Sequence, residues 1–99
     1  MNELYSRISA LIDEHEGDLV HIERTLTDGY AQALALEAER WRIQKRLAEV
    51  AHALQAGDLA GKADELAALA KRLDGTAGEL VKLRGALGEL KRHAADVRV

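Results

Sequence analysis

Ninety-nine residues suffice for one domain with one narrow core. Proline, cysteine and phenylalanine are absent, so nothing forces a helix break, and disulfides, thiolate catalysis and Cys-based zinc sites are excluded. The formal net charge is −3, with Lys and Arg interspersed among acids, which argues against the basic stripe of a direct nucleic-acid binder.

The first predicted element is a long helix over about residues 2–55, with Asn2 or Ser6 as candidate caps. Alternating steps of four and three residues connect Met1, Tyr5, Ile8, Ile12, His15, Leu19, Ile22, Leu26, Gly29, Ala33, Leu36, Arg40, Ile43, Leu47, Val50 and Leu54. An average step of 3.5 residues keeps one face of a helix on a partner, which is a coiled-coil seam. Gly17-Asp18 is the plausible interruption, because Asp18 suits the cap of a fresh helix. The heptad phase passes it without a slip, so one continuous helix with a soft spot is expected.

A turn follows over about residues 56–61, where Gly57 suits a helix C-terminus and Asp58 the cap of the next helix. The second predicted helix covers about residues 62–97. Its seam runs from Leu59 through Leu66, Leu69, Leu73, Thr76, Leu80, Leu83, Leu87 and Leu90 to Val97. The fold class is therefore all-α, a single antiparallel two-helix coiled-coil hairpin over residues 1–99. Facing residue numbers should sum to about 116, placing Arg40 opposite Thr76 as a polar layer that sets the register. The same register places small Gly29 opposite large Leu87, and allows a diagonal Glu39–Arg72 pair.

Two apolar sets are left over on this hairpin. Residues 1–16 project beyond the second helix with Leu4, Tyr5, Ile8, Leu11 and Ile12 unpaired, and so favour contact with a second subunit or another protein. Val20, Leu34 and Trp41 fall on one flank at heptad spacing beside Tyr30, and the second helix carries Val81 among alanines on the same side. A second apolar side implies another layer, most simply a homodimer of hairpins forming a four-helix assembly. Gly75, Gly78 and Gly85 lie on the outward face of the second helix.

Catalysis has no candidate constellation. His15, His21, His52 and His93 form no HExxH or Glu-x-x-His pattern, and no glycine-rich phosphate loop joins a strand to a helix. A non-enzyme without metal or cofactor is expected. No apolar run approaches the ~20 residues of a membrane span, and Met1-Asn2-Glu3 does not open a signal peptide, so a cytoplasmic protein without membrane association is expected.

The segment Glu16-Gly-Asp-Leu-Val-His-Ile-Glu-Arg-Thr-Leu-Thr-Asp-Gly-Tyr-Ala-Gln-Ala-Leu resembles the core helix of the RsiG coiled-coil anti-sigma family. That resemblance implies an antiparallel helical hairpin whose protein partner is a sigma factor. The family holds cyclic di-GMP through a Glu-x3-Ser-x2-Arg-x3-Gln-x3-Asp signature. Here Glu16 matches, but Val20, Glu23, Thr27 and Ala31 stand at the other four positions. An acid replaces the phosphate-binding arginine, so cyclic di-GMP binding is not implied for this chain.

The sequence thus leads to a small protein-interaction module, in its most specific form an anti-sigma-like transcription regulator. A self-assembling coiled-coil scaffold and a nucleotide-sensing hairpin are the alternatives.

Overall fold

The computed structural model describes residues 2–13 and 18–98, which are helical apart from Asp18 and a turn. Three helices follow in order: α1 (Asn2–Asp13), α2 (Leu19–Gln55) and α3 (Lys62–Arg98). The described chain is all-α, and no helix in it is long and apolar enough to cross a membrane. It divides into two compact units, a three-helix unit (Met1–Leu34 with Val81–Val99) and a two-helix unit (Ala35–Leu80).

Three helices replace the two expected, because the first predicted helix is broken. Gly17 lies outside the described residues, but the geometry on either side of it decides the matter. Arg7 Nη2 donates to Thr25 Oγ1 at 3.1 Å across a sequence separation of 18. In one straight helix those residues would stand about 27 Å apart. So α1 folds back onto α2. Asp18 begins the new helix: its Oδ1 accepts from Val20 N at 3.1 Å and His21 N at 3.3 Å. Its carbonyl takes the first helical bond, from Ile22 N at 3.0 Å. A side-chain cap satisfies amides that would otherwise lack partners at a helix start, so a break costs little here. An unslipped heptad phase does not require a continuous helix.

The fold-back also corrects the fate of the N-terminal apolar residues. Within α1, Ile8 and Leu11 are only 2% and 5% exposed, while Leu4, Tyr5 and Ile12 are half-buried. Their spacing makes one apolar stripe, which the chain itself covers. A 12-residue helix is marginal alone in water, and burying two such side chains contributes about 1.5–3 kcal/mol each.

The core of the three-helix unit joins Ile8 and Leu11 to Ile22, Ala33, Leu83, Leu87, Leu90 and Ala94. Gly29 lies buried in the same unit against Leu87, and a Cβ there would overlap Leu87 Cδ2. This is the small-against-large pairing that the register implies.

In the two-helix unit, Ile43, Val50 and Leu69 form the buried core, with Leu47, Leu54, Leu66 and Leu73 packed against it. Two ion pairs cross between the helices, Arg46–Glu65 at 2.7 Å and the diagonal Glu39–Arg72 at 3.6 Å. Residue numbers rise on one helix as they fall on the other, so the segments run antiparallel. At the end of α2, Asp58 N donates to Ala53 O at 3.0 Å and Gly57 N to Leu54 O at 3.1 Å. Gly57 adopts φ +93°, the left-handed conformation that this double closure requires. Glu65 N donates to Gly61 O at 3.0 Å, so the residue that leads into α3 at Lys62 is Gly61 and not an Asp58 cap.

Glycines in these helices therefore carry opposite consequences. Gly85 has open space around its missing Cβ, so Gly85→Ala should raise stability by about 0.5–1 kcal/mol through helix propensity. Gly29→Ala gains the same propensity but must displace buried Leu87, with an overpacking cost of about 1–3 kcal/mol. Urea unfolding followed by circular dichroism should show the first variant more stable and the second less stable than wild type.

Candidate functional site

A polar clamp holds α1 in place. Thr25 is fully buried, and its hydroxyl donates to the His21 carbonyl at 3.0 Å while accepting from Arg7. The other arm of the guanidinium pairs with Asp28, with Nη1 3.0 Å from Oδ2. On the other side of α1, the Lys82 ammonium lies 4.6 Å from the centroid of the Tyr5 ring, so α1 touches both α2 and α3. Neither heptad position nor spacing singles out Arg7 or Asp28 in the sequence. Only the threonine gave a signal, as a small hydroxyl residue beside the seam, three residues after Ile22 and next to Leu26.

The clamp changes which predicted interface residues are available. Ile8 and Leu11 are interior, and so cannot meet a partner without undocking α1. Leu4, Tyr5 and Ile12 keep partial exposure. The flank residues of the three-helix unit behave differently: Val20 is 59%, Tyr30 46%, Leu34 66% and Val81 74% exposed. In the two-helix unit Trp41 is likewise exposed, with the Lys45 ammonium 5.3 Å from its ring centroid. Of the expected polar layer, Thr76 is buried and Arg40 half-buried. Among the described residues, every buried side-chain nitrogen or oxygen has a hydrogen-bond partner. Gly75, Gly78 and Gly85 face open space.

One side of the two-helix unit carries a groove lined by Glu39, Arg42, Ile43, Arg46, Leu69 and Arg72. Its floor is the buried pair Ile43 and Leu69, and its rim is three guanidiniums against one carboxylate. Arg46 Nε donates to Glu65 at 2.7 Å and Nη1 to Glu49 at 3.3 Å. The hydrogen bond from Arg46, reinforced by its charge and that of Lys62, holds the Glu65 carboxyl below the usual glutamate range. The same bond to Glu65, then that to Glu49, raises the Arg46 pKa.

No cluster of three or more His, Asp or Glu side chains suited to a metal ion occurs among the described residues. His15 lies outside them; His21 and His52 are exposed and His93 is half-buried. What the arrangement offers chemically is surface: exposed apolar side chains in one unit, and in the other an arginine-rimmed groove whose Arg42 has no carboxylate partner among the described residues. No protein family, curated protein or solved structure matches the chain.

Two outcomes follow from these contacts. Arg7→Ala removes both the bond to Thr25 and the ion pair to Asp28, at a cost of about 1 kcal/mol. Hydrogen exchange should then speed up at the amides of α1 before those of α3. For Glu65, a lowered folded-state pKa means a small stabilisation present above the unfolded value of about 4.3 and lost as pH falls through the lowered value. Carbon-detected NMR titration should show the Glu65 midpoint rising toward the ordinary glutamate value in Arg46→Met. High salt should shift the wild-type midpoint the same way.

Proposed function

We propose that this chain is a non-enzymatic helical protein-interaction module that self-associates through the outward flank of its three-helix unit. The observation that supports it is the exposure of Val20, Tyr30, Leu34 and Val81, none less than 46% open to solvent. Single exposed apolar residues are ordinary on protein surfaces, but large ones repeated along one flank favour a further helical layer. The cost of leaving them in water is removed when a second copy presents the same flank, because a two-fold interface needs only one self-complementary surface. The product is a dimer in which α2 and α3 of each copy, four helices in all, meet across the flank.

Within that reading, the RsiG resemblance supplies the most specific role, an anti-sigma-like regulator in the cytoplasm with a sigma factor as its protein partner. No small-molecule cofactor enters it. The acid at Glu23, where the family has its phosphate-binding arginine, weighs against nucleotide sensing.

Light scattering over a wide concentration range tests the self-association. The full chain should give a dimer mass. Leu34→Glu with Val81→Glu should give a monomer of unchanged helicity, since both side chains are exposed and contribute little to the internal core. A dimer unaffected by both changes would remove this flank from the interface, and growth beyond a dimer would favour a self-assembling scaffold. Calorimetric titration with cyclic di-GMP should give no saturable heat, whereas saturable binding would restore the nucleotide-sensing alternative.

A further inference from the structure

The three-helix unit contains a worked example of how these helices accept another helix. There α1 docks with Ile8 and Leu11 buried and its Arg7 guanidinium on Thr25 and Asp28. Two heptads beyond Asp28 along α2 stands Arg42, and two and three heptads beyond Thr25 stand Glu39 and Arg46. Because heptad positions repeat their direction around a helix, these residues border the groove of the two-helix unit as Thr25 and Asp28 border the seat of α1. That groove is lined by the same three residues together with Ile43, Leu69 and Arg72. No helix of the two-helix unit occupies it. The essential difference is charge: where α1 meets the carboxylate Asp28, the second groove presents Arg42.

We propose that this groove is a docking site for an amphipathic helix of another protein, recognised by carboxylates placed against Arg42, Arg46 and Arg72. Three features select that occupant. Arg72 is paired with Glu39 and Arg46 with Glu65 and Glu49, so the uncompensated cation of the rim is Arg42, which has no ion-pair partner among the described residues. Arg46 commits Nε and Nη1 to Glu65 and Glu49, which leaves the Nη2 donors for an incoming acceptor. The floor is the apolar pair Ile43 and Leu69, so a helix can lay an aliphatic stripe along it while its acids reach the guanidiniums. α1 itself has the wrong charge for this seat, since its Arg7 would meet Arg42. The inference uses none of the flank residues invoked for self-association, so either can fail alone.

The test is a charge swap built on α1. A peptide of residues 2–13 carrying Arg7→Glu, stapled between positions 6 and 10 to keep it helical, is titrated into the 15N-labelled full chain. Ser6 and Ala10 are exposed in the docked helix, so the staple leaves the binding stripe free. Saturable shifts are expected at the amides of Arg42, Arg46, Leu69 and Arg72, with Kd below about 1 mM. The stapled Arg7 peptide should bind this groove at least about tenfold more weakly, equivalent to about 1.4 kcal/mol. Arg42→Glu should reverse that preference, and Arg42→Gln should abolish it; circular dichroism of both variants checks the fold. Absence of saturable shifts at the groove with either peptide would overturn the proposal. So would shifts confined to the three-helix unit, or a peptide preference unchanged by both Arg42 substitutions. Concentration-dependent shifts of the groove amides in the protein alone would assign the seat to a second copy and overturn it as well.

Discussion

The three-helix unit depends on the docking of α1, and that docking is a coupled apolar and polar event. Ile8 and Leu11 supply the burial, but burial has no direction and would tolerate several placements. Arg7 supplies the direction. Its two guanidinium arms reach a buried hydroxyl and an exposed carboxylate one helical turn apart, at 3.1 and 3.0 Å. Thr25 is worth placing in a core only because its hydroxyl both donates to His21 and accepts from Arg7. Without the burial a 12-residue helix has little reason to stay, and without the Arg7 contacts it keeps its burial but loses what fixes its placement.

The two units solve the same problem with different means. The three-helix unit covers one side of its α2–α3 seam with a helix from its own chain. The two-helix unit has no such cover, and leaves Leu47, Leu54, Leu66 and Leu73 only partly buried around its core. Charged side chains close its edge instead, through Arg46–Glu65 and Glu39–Arg72. Exposed ion pairs of this kind contribute little stability, so their arginines can exchange partners at small cost. The contrast is a filled seat beside Asp28 in one unit and an uncovered groove beside Arg42 in the other.

The periodicity of the chain carried the helical class, the seam residues and the turn chemistry around Gly57, since each rests on local spacing or local backbone conformation. The pairing of Gly29 with Leu87 and the diagonal Glu39–Arg72 contact were also legible, because an antiparallel register converts one known turn into many facing pairs. The exposure of Val20, Leu34 and Trp41 followed from heptad position alone.

Where α1 goes was not legible. A heptad pattern is indifferent to whether a helix continues or stops and folds back, since both keep the same stripe apolar. Asp18 was recognisable as a possible cap, but only the contact of Arg7 with Thr25 and Asp28 shows that the chain uses it. Sequence by itself determined that this protein is made of helices with one seam, because propensity and period are properties of each segment. The tertiary structure decided which apolar residues are spent inside the chain and which are left at its surface. Burial is a property of the assembled neighbours, and no single helix contains that information.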